Sequence, residues 1–174
     1  MEELLFVKPK IEYKSAILEY KQEFIDNSDS MDGTAGLRDI EMFEEWIDAI
    51  EDNSREETVR PGLVPASTFI VIRISDSKII GMIDIRHILN DFLLKSGGHI
   101  GYSVRKSERN KGYAKKMLSL ALKKCSEFGI ENVLVTCSKD NIASVKTILA
   151  NGGILENEVI IDGKEKQRYW IEIK

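Results

Sequence analysis

The sequence predicts a mixed α/β fold: a central, mostly antiparallel sheet of about seven strands flanked by about four helices, in one domain over residues 1–174. Three observations predict it. The β-branched runs "TFIVIRI" and "IIGMIDIRHIL" are joined by a polar turn so short that only a hairpin fits. The stretch from Gly112 to Phe128 has helical period and lies between two strand patterns, so the unit from His99 to Cys137 is expected to be a right-handed crossover that gives a parallel pair. A hydrophobic share of 43% with 31% charged residues in 174 positions suits one domain with a sizeable core, not a disordered or fibrous chain.

Along the chain, "LLFVKP" reads as a short strand stopped by Pro9. Ile11, Ala16, Ile17, Tyr20, Phe24 and Ile25 then recur at near-helical spacing. "LRDIEMFEEWIDAIED" repeats the pattern through Leu37, Ile40, Phe43, Trp46, Ile47 and Ile50, so two amphipathic helices follow the first strand. After the punctuated "RPGLVPAS" and the hairpin, "NDFLLKSGG" is a loop or a helical turn. In "HIGYSV" Ile100, Tyr102 and Val104 alternate with His99, Gly101 and Ser103, as in a strand. The next helix carries Ala114, Met117, Leu118, Ala121, Leu122 and Cys125 on one face and stops at Gly129. "NVLVTC" is a buried strand, "NIASVKTILANG" a short helix closed by Gly152, and the last segment a hairpin turning at Asp162-Gly163.

The formal net charge of -4 argues against a general nucleic-acid binder. No run of apolar residues is long enough for a signal peptide or a membrane span, which sets the expectation of a cytoplasmic protein without a membrane partner. Cys125 and Cys137 are too few for a disulfide framework and too far apart for a CxxC knuckle, so both are expected reduced and structural, with no metal. Between Asp26 and Glu57 acidic residues far outnumber Arg38 and Arg55. That excess is either a solvated face or an acidic lip for a cationic substrate.

Against this acidic balance, "SERNKGYAKKML" gathers Arg109, Lys111, Lys115 and Lys116 around Gly112 where a strand gives way to a helix. A helix N-terminus has bare N–H groups and partial positive charge, and a glycine lets an anion approach the main chain. Arg109, Lys111 and Lys115 are expected to add charge-assisted contacts. Neither the Walker A spacing nor G-x-G-x-x-G is present.

The stretch "VRKSERNKGYA" resembles the coenzyme A pyrophosphate loop of the GNAT superfamily of N-acetyltransferases, R/Q-x-x-G-x-G/A. Arg109, Gly112 and Ala114 fill its three places, and Val104 ends the strand five residues before the arginine. Downstream, Asn141, Ser144 and Gly152 match a second family pattern, N-x-x-A/S-x-x-L-Y-x-x-x-G-F. Ile148 stands at the place of its tyrosine, the usual general acid, and Gly153 at the place of its aromatic. The resemblance implies a GNAT-like sheet splayed between the strands around 99–104 and 132–137, and acetyl-CoA as co-substrate. The residues it implies at that co-substrate are Tyr102, Ser103, Val104, Arg109, Asn110, Lys111, Gly112, Tyr113, Ala114, Lys115, Asn141 and Ser144. It also implies direct transfer of the acetyl group to an amine.

An alkylammonium must lose a proton before attacking a thioester. Asp84 and His87 on the hairpin's second strand and His99 beside the co-substrate are the candidate bases, each with a plain structural role as its alternative. The expected acceptor is a small, cationic primary amine. A protein lysine or amino terminus is the second enzymatic reading, and a non-catalytic acyl-CoA-binding module, motivated by Ile148, the reading from another class. A homodimer through Arg168-Tyr169-Trp170 stands beside closure of the core by the same residues.

Overall fold

The computed structural model describes residues 2–173. In chain order the elements are β1 (Leu4–Val7), α1 (Lys14–Asp26), α2 (Phe43–Asp52), β2 (Ala66–Arg73), β3 (Lys78–Arg86), β4 (Ile100–Val104), α3 (Tyr113–Glu127), β5 (Asn132–Ser138), α4 (Ile142–Leu149), β6 (Ile154–Ile161) and β7 (Lys164–Glu172). Short 3-10 turns at Ile11–Tyr13, Leu37–Asp39 and Lys106–Glu108 and a π turn at Leu93–Gly97 lie between them. The strands form a sheet in the order β1-β2-β3-β4 and a second in the order β5-β7-β6, with every ladder antiparallel.

The alternation read in β4 divides the two faces. Ile100 and Val104 pack with Met117, Leu118, Ala121 and Cys125 of α3 and with Val133 and Val135 of β5. On the other face Ile70, Ile72, Ile79 and Met82 pack against Ile17, Tyr20 and Phe24 of α1 and Phe43, Trp46 and Ile50 of α2. The core face of α1 is narrower than its sequence pattern, since Ile11 and Ile25 are exposed. The second helical pattern is broken: Leu37–Asp39 forms a separate turn and the chain is extended at Ile40 and Met42 before α2 begins. The Trp46 indole explains the break, because it donates to the carbonyls of Thr34 (3.1 Å) and Ala35 (3.2 Å) and folds that segment back over α2.

One expectation changes in detail. The crossover through α3 brings β5 beside β4, but no parallel ladder forms. His99 N donates to Leu134 O (2.7 Å), and the Leu134 N–H, which a ladder would use, goes instead to the His99 ring Nδ1 (2.9 Å). A side chain thus replaces the next main-chain bond, and the two sheets part there. The last hairpin turns at Asp162 (φ 50) and Gly163 (φ 74), the two positive φ angles that an Asp-Gly turn of type I′ needs. Both cysteines are free and buried. Among the described residues no helix is long and apolar enough to cross a membrane, and no group of side chains has the make-up of a metal site.

Candidate functional site

The β4–α3 junction is built by pairing its charges. Arg105, 4% exposed, reaches Glu19 (2.9 Å) and Glu23 (2.6 Å) of α1 and donates to the Ile79 carbonyl (3.2 Å). Glu23 also accepts from Ser107 N (2.8 Å). Glu108, 3% exposed, is met by Arg73 (2.8 Å), Lys78 (2.9 Å) and Lys111 (2.9 Å). Although burial opposes its charge, hydrogen bonds from these three cations hold its pKa down at about 2. The Arg109 Nε donates to the Val104 carbonyl (2.9 Å), which gives the five-residue spacing between them a physical reason. Its guanidinium lies over the Phe24 ring and 3.0 Å from Asp29 Oδ2, a coulombic pair without hydrogen-bond alignment.

These pairings turn the loop while leaving its main chain open. Asn110 (φ 62) and Gly112 (φ 82) are both left-handed, and no side chain caps the N-terminus of α3. A Cβ added at Gly112 would meet nothing within 4 Å. The first-turn N–H groups of Tyr113, Ala114 and Lys115 therefore have no side-chain cap at the positive end of a 15-residue helix, a setting that fits an anion such as a pyrophosphate. Arg109 and Lys111 are turned to protein partners, and Lys115 is exposed. Tyr113 is buried, with its hydroxyl accepting from Arg73 (2.9 Å) and donating to Glu2.

Beside this loop β4 and β5, the facing strands of the two sheets, share no ladder. The Tyr102 hydroxyl of β4 bonds Ser144 Oγ (2.8 Å) on α4, whose first turn is capped by Asn141 Oδ1 accepting from Ser144 N (3.1 Å). Burial pushes the Tyr102 and Cys137 pKa values up, so both are protonated at neutral pH. Ser103 is tied on its other side, its carbonyl and hydroxyl both bonded to the Tyr20 hydroxyl (3.1 and 2.9 Å). Ile148 is fully buried core.

The three candidate bases do not converge. Asp84 is 7% exposed, accepts from Thr68 Oγ1 (2.9 Å) and lies 3.0 Å from Arg86 Nε. Desolvation raises its pKa, against the pull of Arg86. His87 stacks on Phe128 at the far end of α3 (centroids 4.4 Å) and shares a hydrogen bond with Ser67 Oγ (2.9 Å). His99 is buried against Trp170, and burial with the nearby Arg86 charge lowers its pKa to about 4. Because its Nδ1 accepts from Leu134 N–H, the neutral ring carries its proton on Nε2 and has no second lone pair to offer. Two residues that sequence reading passed over shape the site, Glu108 and Arg86. For Arg86 the signal was an Asp and an Arg two positions apart on one strand, hence on one face.

On the α1 side, the Gly33 backbone of the α1–α2 connection lies directly on β4, where a Cβ at Gly33 would come within 2.2 Å of the Gly101 carbonyl oxygen. The last strand does not form a free edge: β7 lies between β5 and β6, and Tyr169 closes the core.

Known proteins share this fold. The microcin C7 self-immunity acetyltransferase MccE, solved with acetyl-CoA and AMP, superposes with a TM-score of 0.69 at 19% identity, over 99% of this chain and 94% of that one. A ribosomal-protein-S5-alanine acetyltransferase from Vibrio fischeri gives 0.71 at 18%, over 99% and 94%. The dodecameric spermidine N-acetyltransferase from Vibrio cholerae gives 0.65 at 14%, over 97% and 93%. No curated protein matches the sequence. At these identities the superpositions establish the fold, and the sequence itself settles the family: the model of the acetyltransferase (GNAT) domain matches residues 11–154, so the chain belongs to the GNAT acetyltransferases, enzymes that take acetyl-CoA as co-substrate.

Proposed function

We propose that the chain transfers the acetyl group of acetyl-CoA directly to the primary amine of a small acceptor, with the β4–α3 junction as the pyrophosphate seat. The observation that carries this is the uncapped, left-handed entry to α3 at Gly112, opening onto the gap between β4 and β5. Main-chain N–H groups from Lys111 to Lys115 bind the diphosphate, with Asn110 turning the loop and Lys115 adding charge at its rim. Arg109 and Lys111 hold the loop in shape. The main chain of Tyr102, Ser103 and Val104 lines one side of the gap and polarises the acetyl carbonyl, while Asn141 and Ser144 line the other. Tyr102, protonated and in contact with Ser144, supplies the proton for the departing thiolate in place of the absent tyrosine at Ile148.

For the amine's own proton we favour solvent in the cleft over Asp84, His87 or His99. Asp84 is engaged by Arg86 and Thr68, His87 by Phe128 and Ser67, and His99 has the wrong tautomer. The related structures bear names spanning a polyamine and the alanine of a ribosomal protein, so likeness does not choose the acceptor. The test is thermal melting with acetyl-CoA followed by free-thiol release over a panel of amines and lysine or amino-terminal peptides. A melting shift with thiol release from small amines supports the proposal. Release from peptides alone selects the protein acetyltransferase, and a shift without release from any amine selects the acyl-CoA-binding module. A second chain is most readily accommodated at β6, an outer strand that leaves Ile154 and Ile160 more than 70% exposed, and sedimentation would show it.

A further inference from the structure

On the face of β4 that looks toward α1 and α2 lies a guanidinium that the protein itself does not use up. Arg86 ends β3, two residues after Asp84 and on the same face. Its Nε is 3.0 Å from Asp84 Oδ2, and Asp84 is fixed in turn by Thr68 Oγ1 at 2.9 Å. Asp84 pairs in register with Gly101, so this carboxylate aims the Arg86 side chain across to the N-terminal end of β4. There NH1 and NH2 both sit 3.2 Å from where a Cβ of Gly101 would be, and the main-chain nitrogen of Gly33 is equally close to that point. A residue with a Cβ at 101 would crowd the fork and the Gly33 main chain, so glycine gives both the most room. Among the described residues neither NH1 nor NH2 donates a hydrogen bond to a protein acceptor, and the side chain is 23% exposed. Elsewhere in the molecule the buried arginines are satisfied: Arg105 by two carboxylates and a carbonyl, Arg168 by the Leu94 carbonyl, Glu156 and Asn157.

Five N–H donors on a planar fork match the two oxygens of a carboxylate, and such pairs form the stronger, geometrically selective class of hydrogen bonds. The fork lies one residue from Tyr102, beside the main chain assigned above to the acetyl group. Resting on that assignment, we infer that Arg86 is the anchor for a carboxylate on the acceptor, and that the acceptor is an amino-acid-type amine carrying a carboxylate beside the amine to be acetylated. Asp84 acts through Arg86 as a positioning residue. This revises the reading of the acceptor as simply cationic: the acidic residues between Asp26 and Glu57 suit its ammonium group, and Arg86 its carboxylate.

The test compares matched acceptors for several side chains: the free amino acid, its primary amide and the amine lacking the carboxyl group. Rates of free-thiol release are corrected for the deprotonated fraction of each amine. The wild type should favour the amino acid in kcat/KM by about 10- to 100-fold, the worth of a charged hydrogen-bond pair. Arg86→Met should bring that preference close to one, and Arg86→Lys should leave part of it. Retention of the acetyl-CoA melting shift in both variants establishes that they fold. Equal or better acetylation of the amide or the bare amine, or an undiminished preference in Arg86→Met, overturns the inference. Failure of the co-substrate reading is seen separately, as absence of the acetyl-CoA shift and of thiol release from every amine. In that event calorimetric binding of the amino acids to wild type and Arg86→Met still decides, and equal or absent binding overturns the anchor.

Discussion

The two ends of β4 solve opposite problems. At its C-terminal end, where α3 begins, the charged side chains are consumed in building the loop: Arg105 by Glu19 and Glu23, Glu108 by Arg73, Lys78 and Lys111, and Arg109 by Val104 and Asp29. What remains open there is main chain. Around Gly101, glycines press the backbone of the α1–α2 connection onto the strand, and what remains open is the side-chain fork of Arg86. Recognition by main chain tolerates little variation, because its geometry comes from the fold. Recognition by a side chain can be retuned by one substitution. On the function proposed above, the constant part of the reaction belongs at the main-chain end of the strand and the variable part at the side-chain end.

The largest expected effect falls on the main-chain end. Gly112→Asp should abolish the rise in melting temperature that acetyl-CoA produces, because a carboxylate there meets the diphosphate. The left-handed φ of 82 adds a folding cost of about 1 kcal/mol for a residue with a Cβ. Gly112→Ala carries comparable strain without the charge, so it should lose stability but keep most of the shift. An undiminished shift in Gly112→Asp would put the anion elsewhere.

Next comes the scaffold beneath the loop. Glu108→Gln leaves Arg73, Lys78 and Lys111 without their shared buried anion and should cost on the order of 2–4 kcal/mol in denaturant unfolding. The sign with pH follows from the lowered pKa. The Glu108 contribution is complete above the unfolded carboxyl value, about 4.3, and is lost as pH falls toward about 2. Stability of the wild type should therefore drop more steeply than that of Glu108→Gln across this interval. Parallel curves would mean that the carboxylate is not stabilised as its contacts imply.

Much of this fold was legible in the sequence, because period-2 and period-3.6 patterns report burial directly. The hairpin at Asp162-Gly163 and the α3 start at Gly112 were readable for a related reason: each needs a backbone conformation that few residues adopt. Contacts between distant residues were not legible. Glu108 sits in "SERNKG", a string that reads as solvated, and is buried only because Arg73 and Lys78 arrive from the β2–β3 hairpin. The absent β4–β5 ladder depends on the His99 ring taking the Leu134 N–H, 35 residues away. Nor does the sequence show that the five-residue spacing from Val104 to Arg109 serves a bond between the two.

Between the two ends lies the Tyr102–Ser144 contact, where the comparison can be sharpened on rate instead of binding. Tyr102→Phe removes one hydroxyl and its 2.8 Å bond, which should cost about 1 kcal/mol of stability. If the hydroxyl protonates the departing thiolate, kcat should fall by about 100-fold, the lower end for a positioned general acid, with the acetyl-CoA melting shift retained. A fall in kcat of less than threefold would return Tyr102 to a packing role.

The smallest effect is expected where sequence reading placed a base. Burial holds His99 neutral down to a pKa of about 4, below the unfolded value of about 6.5. Between those two pH values the unfolded chain binds the proton that the folded chain excludes, so His99 withdraws stability as pH falls through this window and has no such effect above it. His99→Gln, which keeps a side-chain acceptor for the Leu134 N–H but cannot titrate, should flatten the acid loss of stability between pH 6.5 and 4. The same variant should leave the shape of the pH–rate profile as it is, since the ring nitrogen that a base would need already carries a hydrogen. Loss of an ionisation near pH 4–6.5 from the rate profile would restore His99 as the base. The acceptor end of β4 would then contain a proton-transfer group as well as the Arg86 fork.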